Sequence, residues 1–258
     1  GTVTMSDDSR VVNVDGDIRV VAANDIHVGG IHTTTGNVAL EATSGSVLDA
    51  GDLHRDLVAI GLQVIAGTGI GTSANALETT VTTLSATATG GGIRIEELDT
   101  LVVDDVSSSV ERVKVDASTM TTAVASQTSV TTTAGDGHIV MVLKGGSLTI
   151  NDTVTAHGSG NIRLETEGTD IQGNADISST SGHITIIGQV GVELTTAADV
   201  ITGGTGTINV EAETAPVTMS ADSRVVNVDG DIRLAAANDL LVGGIHTTTG
   251  NVALESTS

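Results

Sequence analysis

The amino-acid sequence predicts an all-β protein folded as a parallel β-helix, a β-solenoid of about 24 residues and three short strands per coil. Three observations predict it: a Gly-x-apolar-x-apolar signal that recurs along the chain, a composition without aromatic rings, and a long segment that occurs twice.

The recurring signal reads GDIRV at 16–20, GNVAL at 36–40, GGIRI at 91–95, GHIVM at 137–141, GNIRL at 160–164, GHITI at 182–186, GTINV at 206–210, GDIRL at 230–234 and GNVAL at 250–254. From residue 137 onward the intervals are 23, 22, 24, 24 and 20 residues. Each is too long for a hairpin strand and too short for a strand–helix–strand unit. Within one unit, Ile18 and Val20, Ile26 and Val28, and Ile31 and Thr33 form pairs separated by one outward residue. That is period-two alternation in three strands, broken by Asn24-Asp25 and Gly29-Gly30, which favour turns. Three strands and three corners make one coil. Coil starts at 16, 36, 61, 92, near 110, 137, 160, 182 and 206 give nine coils, with outgrowths expected at 41–60 and 70–84. Nine coils advance about 43 Å at the spacing of neighbouring strands.

The 258 residues include no Phe, Tyr, Trp or Cys, one Pro and 32 Gly. A thin core, one side chain deep from each wall, has no need of ring volume. Ten Lys and Arg against 32 Asp and Glu give a net charge of -22, which repels phosphate backbones. Rings that stack on unpaired bases are also missing, so no nucleic-acid partner is expected. Membrane insertion of this segment is not expected either, since no apolar run approaches the roughly 20 residues a bilayer requires.

The third observation is the duplication. DSRVVNVDGDIR fills residues 8–19 and again 222–233, and residues 1–44 match 215–258 at 36 of 44 positions. The expected organisation is one continuous solenoid over 1–258, with 1–214 forming one super-repeat and 215–258 beginning the next. Because the pattern is already under way at residue 1 and still running at 258, the chain is expected to be part of a longer array or to stack on copies of itself.

VIAGTGIGTSANALETTVTTLSATATGGGIRIEE at 64–97 and GNIRLETEGTDIQGNADISSTSG at 160–182 resemble the β-solenoid repeats of very large bacterial surface proteins, similar to filamentous haemagglutinin-type adhesins. The resemblance implies a right-handed coil, export to the cell surface, and a role as the shaft or fibre of an adhesin or surface layer. The function expected on these grounds is that of a structural extracellular fibre. The alternative is an adhesin module whose outgrowths at 41–60, 70–84 or around 104–134 contact a cell-surface or matrix ligand.

Residues with site chemistry have simpler readings. Asp15, Asp17 and Asn24-Asp25, repeated as Asp229, Asp231 and Asn238-Asp239, have the oxygen ligands and turn context that calcium takes. No calcium-loop pattern accompanies them, and Asp and Asn also belong at corners for conformational reasons. The threonine runs 33–35, 79–80, 131–133 and 247–249 would suit outward ladders, but their spacing is too irregular for a flat binding face. His27, His32, His54, His138, His157, His183 and His246 lack zinc spacing and read as solvent-facing strand residues. Arg19, Arg94, Arg163 and Arg233 share an outward slot, where surface ion pairs with the abundant acid are expected. Asn151-Asp152-Thr153 is a lone glycosylation sequon. No catalytic, cofactor-binding or metal-binding residue is assigned, and no enzymatic activity is expected.

Overall fold

The computed structural model describes residues 1–51, 54–196 and 198–257. Among them are thirty strands and no helix, hence no helix long and apolar enough to cross a membrane. Almost all pairing is parallel and joins each strand to its counterpart one coil on, as a β-solenoid requires.

One row of inward side chains runs the whole length. It comprises Val3, Ile26, Val47, Ile70, Ile93, Ile139, Ile162, Ile184, Ile208, Ile232 and Val252, each opposite the next across a parallel pairing. Eleven residues in one row mean eleven levels of coil, or about 48 Å of axis. A second row begins at Ile18 and passes through Leu62, Val103 and Ile150 to Met219, eight pairings away. A third runs from Val20 through Val64, Ala86, Val130 and Val154 to Ile245. Most of these side chains are wholly buried. Like stacks on like along each row, so β-branched residues fill the tube without rings.

The cross-section changes midway. In the first coils the long side is Ile18–Ala22 or Asn37–Ala42, and the short sides are Ile26–Val28 and Ile31–Thr33. In later coils the long side is Ile139–Leu143, and the short sides are Leu148–Ile150 and Val154–Ala156. The strand Leu77–Ala88 makes the exchange: its start pairs with Ile93–Glu97, its middle with Leu101–Val103 and its end with Val130–Thr132. Two short sides fuse into a long one there, and the former long side splits in two. The starts at 16, 36 and 61 therefore lie at a different corner from those at 92 and beyond. Ile18 and Ile232, equivalent in sequence, sit on different rows: the second and the first. The advance between them is eight coils and about half of a ninth.

The start expected near Val110 is not a coil. Val106–Val113 and Thr119–Gln127 form an antiparallel hairpin that leaves the solenoid between the second and third rows. Of the expected outgrowths, 70–84 is built into the wall by the bridge at Ile70 and the strand from Leu77. Within 41–60, Val47–Asp49 and Leu57–Ala66 are wall strands too, while residues 52 and 53 lie outside the described residues. The outgrowth falls in the third expected region, around 104–134.

Candidate functional site

Corner chemistry explains most of the polar residues that the sequence singles out. The Gly of Gly-x-Ile stacks on the Gly one coil above: a Cβ on Gly160 would stand 2.2 Å from the Gly137 carbonyl oxygen, and one on Gly182 would stand 2.1 Å from that of Gly160. Only a residue without Cβ allows this approach. The residue after the Gly supplies an acceptor for the amide one coil on. Asp17 Oδ1 accepts from Asn37 N at 2.8 Å, Asn161 Oδ1 from His183 N at 2.8 Å, His183 Nδ1 from Thr207 N at 3.0 Å and Asp231 Oδ1 from Asn251 N at 2.7 Å. Asp25 does the same for Ser46 N at 2.8 Å. Asp15 and Asp229 instead accept from the hydroxyls of Thr35 and Thr249. Asp, Asn and His thus share a position because each can present an acceptor there.

Thr131 stands in an outward row between Thr87 and Thr155, but the runs at 33–35 and 247–249 each turn a hydroxyl to the backbone instead. Thr33 is fully buried, donates to Gly16 O at 2.8 Å and accepts from Gly36 N at 3.2 Å. Thr247 clips Gly230 O and Gly250 N in the same way. Both face inward because a run of glycines leaves backbone groups that a short hydroxyl can pair. The histidines also divide: His138 and His183 are corner acceptors rather than strand residues. Arg94, Arg163 and Arg233 lie in one outward row, but Arg19 lies in another, opposite Ala39. Arg19 pairs with Glu41 at 3.1 Å, and Arg233 with Glu211 at 2.9 Å and Glu255 at 2.8 Å. Asn151 of the sequon donates to Asp104 Oδ2 at 2.9 Å.

Two features stand outside this regular scheme. The hairpin folds back over the long side of the first coils, where outward residues would otherwise meet solvent. Beneath it Ala39, Gln63 and Ser85 are buried, and Val106 and Ser108 face them from above. Gln63 Nε2 donates to Ala125 O at 2.9 Å, Asn37 Nδ2 to Ser107 O at 2.8 Å, and Ser109 N to Asp17 Oδ2 at 2.6 Å. Beyond Ser109 the ribbon runs clear of the wall, and Val113, Val115 and Met120 are exposed around a turn at Lys114–Ser118. An Asn-Gly or Asp-Gly hairpin turn, the usual short-range signal, is absent from 114–118, so nothing local marks the turn.

The second feature is a carboxylate cluster at the corner between the strands Val47–Asp49 and Leu57–Ala66. Asp49 occupies an inward slot opposite Val28, and Asp56 is fully buried just before Leu57. Their carboxylates and that of Glu78 offer ligand oxygens within 4.8 Å of one another. Burial pushes Asp56 up to about 9; the amide of Glu78 opposes this, while the charges of Asp49 and Glu78 add to it. A third inward acid, Glu97, is satisfied: it accepts from the Thr79 hydroxyl at 2.6 Å and the amides of Val81, Leu98 and Asp99. Burial still raises Glu97 to about 7 against the bonds from Thr79, Asp99 and Val81. Sequence reading passed over Asp49 and Asp56 because no ligand spacing marks them; three Asp within 49–56 were the available sign.

The chain matches no family model, no curated protein and no solved structure.

Proposed function

We propose that the chain is a segment of an extracellular structural fibre, a rigid shaft made of tandem solenoid copies and without catalytic activity. One observation carries the reading: the boundary between the two sequence copies is no boundary in the wall. Ile208–Ala212, before it, pairs in full five-residue register with Ile232–Ala236, after it. Ile232 in turn opposes Val252 as Ile18 opposes Val38. Copies joined in this way extend one tube, so each added coil stabilises its neighbours. The acidic surface keeps such fibres apart from one another and in solution. The resemblance to haemagglutinin-type surface proteins supports export and placement at the cell surface, with copies of the chain as its partners along the axis.

The test is electron microscopy of chains holding one, two and three super-repeats. Straight rods whose length grows by about 40 Å per copy are expected. Beads joined by flexible links would sink the shaft reading.

A second reading, an adhesin module, is favoured by the hairpin alone. Its exposed tip carries Val113, Val115 and Met120 clear of the wall. Removing residues 110–122 while keeping the shaft intact would abolish binding to cells or matrix on this reading, and leave it unchanged on the first.

A further inference from the structure

Like charges held together away from water need something positive between them. The corner cluster presents that situation. In each aspartate a backbone amide fixes one oxygen, and no donor among the described residues reaches the other. Asp49 Oδ1 accepts from Gly51 N at 2.8 Å, and Asp56 Oδ2 from Glu78 N at 2.9 Å. Asp49 Oδ2 and Asp56 Oδ1 are buried and meet no donor among the described residues; a bond between the two carboxylates needs a proton on one of them. Asp49 is 8% exposed and Asp56 0%. Both carboxylates belong to the cluster that Glu78 completes. The amides orient the carboxylates as a ligand set is oriented.

A comparison inside the molecule sharpens the point. Asp104, Asp105 and Asp152 form a second group of three carboxylates at the base of the hairpin. There Asp104 takes the Asn151 amide, and none of the three has a buried oxygen without a partner. Acid alone is present at both places, while buried unpaired oxygens occur only at the first.

We propose that Asp49, Asp56 and Glu78 bind one calcium ion, which ties the strand at 47–49 to the strands at 57–66 and 77–88. Three carboxylates, with Glu78 only half-buried, suit a hard cation that tolerates variable geometry and completes its shell with water. Magnesium, which needs a near-ideal octahedron, suits it less. The ion neutralises the repulsion between Asp49 and Asp56, so it acts as a staple on the first coils. The staple is independent of whether the chain is a fibre or an adhesin.

The experiment uses the full chain, stripped with EDTA and then titrated with calcium chloride by calorimetry, with thermal unfolding followed in parallel. One saturable site and a rise in Tm with calcium are expected, with a smaller shift for magnesium at equal concentration. Asp49→Asn and Asp56→Asn should each lose the calorimetric signal and the Tm shift, while Asp104→Asn should keep both. A wild-type chain whose Tm ignores millimolar calcium would overturn the proposal, and a rise on mild acidification would then assign the neutralisation to a proton shared by Asp49 and Asp56. Calcium binding that survives both substitutions would overturn it as well, by placing the ion elsewhere on the acidic surface.

Discussion

Asp17 holds two distant parts of the chain at once: its Oδ1 accepts the amide of Asn37 one coil on, and its Oδ2 accepts that of Ser109 at 2.6 Å. Its sequence equivalent, Asp231, caps Asn251 without any hairpin to hold. Asp17→Ala is therefore expected to cost more than Asp231→Ala, by up to about 1 kcal/mol, because it strands the Ser109 amide whereas Asp231 gives up a second bond only from the Asn251 side chain. Hydrogen exchange should quicken across 106–127 in the first variant only, and trypsin should then cut faster at Arg112 and Lys114. Equal behaviour of the two variants would mean that the contact with Ser109 does not restrain the hairpin.

The glycine ladder sets a steric requirement. An alanine at 182 would bring its Cβ to 2.1 Å from the carbonyl oxygen of Gly160, so the backbone of both coils must move. Gly182→Ala is expected to destabilise by about 3 kcal/mol or more, at the upper end of single substitutions. Ser181→Ala, one position earlier, removes one side-chain bond to Gly158 O and should cost no more than about 1 kcal/mol. Urea midpoints of the two variants provide the check.

Stability of the calcium-free chain should fall as pH rises. The folded-state value of Asp56 is raised to about 9 and that of Glu97 to about 7, from ordinary values near 4. A raised folded value means that the native state holds the proton more tightly than the unfolded one. The stabilisation is thus complete below about pH 4 and is lost progressively, through about 7 for Glu97 and about 9 for Asp56. Asp49 and Glu78 face Asp56 and add to its effect, while Thr79 and the Val81, Leu98 and Asp99 amides surround Glu97. Urea midpoints in EDTA should decline between pH 4 and 9, and Asp56→Asn should flatten the decline above pH 7. A midpoint that rises over that range would contradict this assignment.

In a tandem array the hairpins should not lie along one face. The first row of one copy, at Ile208 and Ile232, continues as the row that Ile18 begins in the next, so the pattern turns by about half a revolution per copy. Successive hairpins should project from opposite sides, about 40 Å apart along the axis and about 80 Å apart on one side. Electron microscopy with a label at Val115 can read this spacing directly. Labels aligned on one face would show that the exchange of sides at Leu77–Ala88 does not accumulate.

The solenoid itself was legible in the sequence because its causes are local. Alternation of Ile18 with Val20 needs only neighbouring residues, and Gly160, Asn161 and Ile162 specify corner, cap and strand start in three letters. The acceptor chemistry of Asp17, Asn161 and His183 was visible as residue type, though its purpose emerges only when the next coil is in place. The alternation with Ile31 already turned Thr33 inward, but its purpose was hidden for the same reason: the glycine carbonyl that it clips lies 17 residues away.

What the sequence by itself determined is the strand period, the ring-free core, the glycine corners and the duplication over residues 1–44 and 215–258. Only the tertiary structure decided which row each strand joins, where the hairpin lies, and that Asp49, Asp56 and Glu78 meet. The physical reason is that a strand's alternation is set by its own few residues. Its place around the tube instead depends on the lengths of all the corners before it and on how the stacked coils exchange long sides for short ones.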